Sequence, residues 1–240
     1  MQIILNRVTK KYGDKVALDD ISFTLEHGVY GLLGPNGAGK STLMNLLTCN
    51  MEPTSGSIVW DGKLLSQVKK EFRAVLGYMP QQQAMYPTFT AAEYLSYIAA
   101  LHGMNKKDAG EAIERVLCQV ELSDVANRKI RTFSGGMKQR LFLAQAILAD
   151  PKVLILDEPT AGLDPYQRIA IRNMIAEMAA DRLILIATHV VQDVEHISKE
   201  VLLLREGQLV RKAPPQELCR ELGVSSIEEV YLSLFGNPVR

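Results

Sequence analysis

Short runs of β-branched and aliphatic residues punctuate the first third of the chain, at residues 3–5, 23–25, 29–33 and 57–60. The Asp61-Gly62 pair after the last run predicts a hairpin turn into Lys63 and Leu64. From about residue 83 the rhythm changes. Residues 91–101 and 109–121 carry apolar side chains at helical spacing with no strand signal between them, which predicts a helical middle third. Beyond Pro151 the two patterns alternate. Residues 153–156 and 183–187 are unbroken apolar runs, the mark of parallel strands covered on both faces. Helices are predicted over 165–180 and 191–198, and a second hairpin over 201–204 and 208–210, split by Glu206-Gly207. The expected architecture is α/β: a parallel sheet with a β-rich N-terminal subdomain and an inserted α-helical subdomain. Within one domain spanning 1–240, residues 1–82 and 149–240 would form the core and 83–148 the insertion.

Composition narrows the partners. The chain has 240 residues, 47% of them apolar, enough for one large packed domain. Its 27 basic and 27 acidic side chains cancel, so no overall field favours nucleic acid or an anionic membrane, and no nucleic-acid partner is expected. No apolar run approaches a membrane span, and the first eleven residues lack the apolar core of a signal peptide, so a cytoplasmic location is expected. Cys49, Cys118 and Cys219 are far apart and unpaired in spacing, which reads as reduced thiols rather than disulfides or a zinc site. Of the four histidines, His27, His102 and His196 read as solvated or capping. His189 stands apart because it follows an apolar strand directly.

The chemistry gathers where a strand gives way to a helix. Gly34, Pro35, Asn36, Gly37, Ala38, Gly39, Lys40, Ser41 and Thr42 follow the run 29–33 and open the amphipathic segment 43–47. Glycines let successive N–H groups turn inward, and the helix N-terminus adds its positive dipole end, so the stretch reads as a phosphate cradle. Lys40 would reach the β- and γ-phosphates, the Ser41 hydroxyl would ligate Mg²⁺, and Thr42 would serve the α-phosphate side.

Two further segments add to this. Asp157 and Glu158 emerge at the end of the buried run 153–156, where Asp157 is placed to help hold Mg²⁺ and Glu158 to act as general base on an attacking water. Taken alone, the pair would be no more than a solvated strand end. Ser134, Gly135 and Gly136 precede the amphipathic run 137–148 and offer a second helix N-terminus to an anion; in isolation Ser134 would be a helix cap and the glycines a turn.

In this order the motifs resemble those of the ATP-binding cassette (ABC) ATPases, the motor subunits of ABC transporters, over essentially the whole chain. The resemblance implies a P-loop NTPase (RecA-like) core that binds ATP with Mg²⁺. It implies that Ser134–Gly136 are the family signature, that Asp164 closes the D-loop turn 161–164, that His189 is the switch histidine on the γ-phosphate, that Tyr12 lies against adenine, and that Gln81 joins core to helical subdomain near Mg²⁺. The signature departs from the usual Leu-Ser-Gly-Gly-Gln at Phe133 and Met137. A head-to-tail dimer with a second cassette is also implied, as is a separate transmembrane permease through which alone the chain meets the membrane. Met85, Tyr86 and Phe89 would be either ordinary core or part of that contact. The stretch 137–140 and the single short cassette resemble subunits of small two-component exporters. The rival within the family, a soluble ATPase acting on ribosomes or DNA, usually carries two cassettes or a coiled-coil insertion; the rival outside it, a phosphate-loop kinase or GTPase, has no signature of this kind.

Overall fold

The computed structural model describes residues 1–81 and 85–236. Strands β1 (Ile3–Tyr12) and β2 (Lys15–Leu25) pair antiparallel, and β3 (Gly28–Leu33) leads through a loop into α1 (Lys40–Leu47). The predicted hairpin follows as β4 (Ser55–Trp60) and β5 (Lys63–Leu64), then α2 (Lys69–Ala74) and β6 (Leu76–Met79). Three helices come next: α3 (Ala91–Leu101), α4 (Lys106–Gln119) and α5 (Gly135–Ile147). The alternating part runs β7 (Val153–Asp157), α6 (Pro165–Met178), β8 (Leu183–Ala187), α7 (Gln192–Glu195), β9 (Glu200–Arg205), β10 (Gln208–Ala213), α8 (Pro215–Leu222) and α9 (Ile227–Phe235). None of the helices among the described residues is long and apolar enough to cross a membrane.

The strands form two sheets. One is antiparallel, in the order β2-β1-β4-β5; the other has the order β10-β9-β3-β8-β7-β6 and is parallel except for β10 at its edge. The unbroken apolar runs conceal a period of two, because successive side chains of a strand point to opposite faces. On β7, Val153 and Ile155 join the core that contains Leu43, Met44 and Phe72, beneath the antiparallel sheet and α1. Leu154 and Leu156 join the opposite core, built on Leu95, Leu143 and Ile175 of the helices. The parallel sheet is thus the middle of three layers, and its strand ends are the exposed edges.

Three departures from the sequence reading have physical causes. Stretches 69–74 and 76–79 carry no element in the apolar pattern, yet they form α2 and β6: the strand exists through its pairing with β7, Leu76 opposite Val153 and Met79 opposite Leu156. The helix predicted over 191–198 is only four residues long, because Lys199 N–H donates to the Val29 carbonyl at 2.7 Å and draws the chain onto β3. Beyond Ala213, where no element was predicted, lie α8 and α9. The expected 82/83 boundary lies outside the described residues.

Phe72 anchors the short α2: it is fully buried, its ring edge-on to Trp60 at 5.3 Å between centroids. Phe72→Ala is expected to lower the unfolding free energy by about 3–5 kcal/mol in denaturant titrations, with nucleotide affinity retained.

Candidate nucleotide site

The carboxyl ends of β3, β7 and β8 meet at one edge of the parallel sheet, where open α/β sheets hold their ligands. Backbone shape makes the loop after β3 possible. A Cβ on Gly34 would sit 2.2 Å from the Leu204 carbonyl oxygen, and Gly39 has φ 106°, with the Ala17 carbonyl 2.6 Å from where a Cβ would be. Gly39 is also the N-cap of α1 and brings no side-chain cap, so the first-turn N–H groups and the positive dipole end are left to a ligand. Lys40 curls back so that Nζ donates to the carbonyls of Gly34 at 2.5 Å and Pro35 at 3.1 Å. Burial lowers its pKa, opposed by the negative charges of Glu158 and Asp157.

Two carboxylates close the other side. Asp157, the last residue of β7, is half-buried; burial above all, then the Glu158 charge, pushes its pKa up to about 6, while Lys40 and a backbone hydrogen bond from Gln81 pull it back. Glu158 takes a left-handed φ of 53°, uncommon for a residue with a side chain, held by its N–H donating to the Ala187 carbonyl at 2.8 Å. That turn aims its carboxylate at the end of β8. There it accepts from Thr188 Oγ1 at 3.0 Å and His189 N–H at 3.0 Å, and lies 2.7 Å from His189 Nδ1. The His189 side chain is otherwise 72% exposed.

A cavity of about 940 Å³ unites these parts, lined by the whole loop 34–42 with Gln81, Asp157, Glu158 and His189, and by Tyr12, Lys15 and Ala17 from the antiparallel sheet. That volume lies within the usual range of small-molecule sites, about 300–1,000 Å³. Tyr12 sits at the end of β1, its hydroxyl 3.1 Å from Met51 Sδ. One more lining residue, Tyr231 of α9, was not among the expected site residues. Neither was Gln139, whose Nε2 donates to the Glu158 carbonyl at 2.6 Å and ties α5 to the acid pair. A position five residues beyond Ser134 is its only mark in the sequence.

The second expected anion site lies elsewhere. Ser134 caps α5, accepting from Met137 N–H at 3.2 Å, and Asp164 caps α6, accepting from Gln167 N–H at 2.9 Å. The two caps are neighbours through Gly136, where a Cβ would come within 2.8 Å of Gln167 Oε1. Around Gly135 a Cβ would meet nothing within 4 Å. Ser134, Gly135, Gly136 and Asp164 do not line the cavity.

The donors around the cavity suit Mg²⁺ by type: a half-buried carboxyl at Asp157, a hydroxyl at Ser41 and the side-chain amide of Gln81, all hard oxygens. Among the described residues no group of three or more His, Cys, Asp or Glu could hold a metal by itself. An ion that keeps waters and takes phosphate oxygens needs no such cage.

A cleft that offers a helix N-terminus, a lysine and a strand-end acid pair to the same small region is built for a polyphosphate, and on a parallel sheet of this order it is the site of a P-loop NTPase. The family model for ABC transporters matches residues 18–161, and the chain belongs to that family. It is an ABC transporter ATP-binding subunit and an ATPase. It is 40% identical over 215 residues to the uncharacterized ABC transporter ATP-binding protein YxlF of Bacillus subtilis (strain 168), covering 89% of this chain and 71% of that one. Over 229 residues it is 36% identical to the Nod factor export ATP-binding protein I of Burkholderia lata, covering 94% and 75%. Among solved structures, an ATP binding subunit of an ABC transporter matches with TM-score 0.87 and 27% identity, covering 98% of this chain and 99% of that one. The dimeric post-hydrolysis state of the cassette MJ0796 bound to ADP and Pi matches with TM-score 0.79 and 25% identity, covering 88% and 98%.

An acid whose folded pKa lies above its unfolded value costs native stability as pH rises between the two, because the unfolded chain gives up the proton first. For Asp157 that window runs from 3.8 to about 6. Asp157→Asn is therefore expected to raise the melting temperature of the nucleotide-free chain at pH 7 by about 2–4 °C, as about 1 kcal/mol does at this length after solvent screening. Calorimetry should show the gain vanishing near pH 4.

Proposed function

We propose that the chain works in the cytoplasm as one half of a pair of cassettes that close around MgATP and drive a separate membrane permease in the direction of export. The observation that carries this reading is the separation of two anion-seeking helix N-termini: that of α1 opens into the cleft, whereas that of α5 does not line it. A second cassette, turned head to tail, would bring its own Ser134–Gly136 to the terminal phosphate held on the first. Charge shared between both helix ends favours closure with triphosphate and is lost after hydrolysis. The dimeric state named for MJ0796 and the export role named for the Burkholderia lata relative agree with this.

Within each cleft, the N–H groups of 34–39 cradle the phosphates, Lys40 neutralises the β- and γ-phosphates, and Thr42 reaches the α side. Tyr12 packs against adenine. Ser41, Asp157 and Gln81 would hold Mg²⁺, which when bound supplies charge neutralisation on the β- and γ-oxygens. Glu158 orients the attacking water and takes its proton, and His189, steered by its Glu158 contact, turns Nε2 toward the γ-phosphate. Residues 1–240 act as a single cassette, with 1–82 and 149–240 as core and 83–148 as helical subdomain. The permease would seat beside Gln81–Thr90, where Tyr86 and Phe89 stack at 5.0 Å, Tyr97 meets Tyr86 edge-on at 5.6 Å, and Tyr86 remains 48% exposed.

Glu158→Gln is expected to bind MgATP, dimerise with it in light scattering, and turn over about 10²–10⁴-fold more slowly; wild-type turnover removes Glu158 from its role, and monomers at saturating ATP remove the paired cassette. Lys40→Ala should weaken ATP binding about tenfold or more in calorimetry, and an unchanged affinity contradicts the assignment of loop 34–42.

A further inference from the structure

α9 reaches the cleft through Tyr231. At its start, Ile227 N–H donates to Glu195 Oε1 of α7 at 2.8 Å; at its end, the Leu234 carbonyl accepts from Arg205 Nη1 at the end of β9 at 3.2 Å. Between these anchors Ile227 and Val230 are buried in the helical-side core. The helix therefore runs from α7 to the end of β9 and brings its last residue, Phe235, to loop 35–38. Two aromatic rings one turn apart, Tyr231 and Phe235, are partly buried against the same core, with centroids 4.8 Å apart. Phe235 lines a shallow cavity of about 220 Å³ with Pro35, Asn36, Gly37 and Ala38, and Tyr231 lines the nucleotide cleft itself.

Position along the cleft decides what Tyr231 can touch. Tyr12, Lys15 and Ala17, contributed by the antiparallel sheet, mark one end. Tyr231 shares the cleft wall with His189 and loop 34–39, and its ring neighbour Phe235 lies against Pro35–Ala38 at the start of that loop. Among the described residues, no hydrogen bond engages its hydroxyl. A phenol at that place is a donor with a rigid two-torsion approach, suited to an anionic oxygen.

We propose that Tyr231 is a nucleotide-contacting residue that donates to the terminal phosphate of bound triphosphate in the same chain, with Phe235 holding the ring in place against loop 35–38. α9 thereby reports whether the γ-phosphate is present. This rests on the ATP-site reading above and adds a discriminating contact to it. The test titrates wild type, Tyr231→Phe and Phe235→Ala with fluorescent ADP and a non-hydrolysable ATP analogue, at protein concentrations that scattering shows to be monomeric. Tyr231→Phe should lose about tenfold in triphosphate affinity, the scale of one hydrogen bond to a charged group, keep ADP affinity within about twofold, and melt at the wild-type temperature. Phe235→Ala should shift the same preference in the same direction. Equal losses for both nucleotides, or none, overturn the proposal, as does a deficit seen only in dimers. A wild-type chain that binds neither nucleotide would instead sink the ATP-site reading, which separates the two failures.

Discussion

A lysine ammonium lodged between backbone carbonyls and a pair of carboxylates is the interaction on which the site depends. Lys40 loses water on entering the cleft, which lowers its pKa, and the negative charges of Glu158 and Asp157 oppose that shift. Its contacts to the carbonyls of Gly34 and Pro35 fold the loop over itself. Asp157 is in the mirror situation: burial and Glu158 oppose its charge, and Lys40 and the Gln81 backbone favour it. Each group is thus opposed by burial and favoured by the charge of the other.

The three-layer core makes such a site affordable. With one face of the parallel sheet against α1 and the antiparallel sheet, and the other against the helices, Val153–Leu156 and Leu183–Ala187 are rigid and almost wholly buried. Their ends then project Asp157, Glu158, Thr188 and His189 from fixed strands separated by one hydrogen-bonded register, Asp157 opposite Ala187. The left-handed turn at Glu158 is tolerated because a backbone bond to the neighbouring strand and three contacts to its carboxylate hold it.

Much of this was legible in the residues. The runs at 91–101 and 183–187 coincide with α3 and β8, since long periodic or wholly apolar segments declare themselves. β6 was not legible because four residues acquire strand character only from β7 beside them, and α2 because six residues are too few to show a period. In the site, loop 34–42, Gln81, Asp157, Glu158, His189 and Tyr12 line one cavity, whereas Ser134–Gly136 and Asp164 meet on another surface. The Gln139 contact on Glu158, and the place of Tyr231 on the cleft wall, arise from tertiary approach and leave no local pattern.

The amide of Gln139 has a mechanical reading. It grips the peptide carbonyl of Glu158 from the first turns of α5, the helix whose cap is Ser134. That carbonyl directly follows the Cα whose left-handed φ aims the carboxylate at His189. The tether is a tie-rod: one side-chain amide fastens the helical block to the backbone of the acid pair.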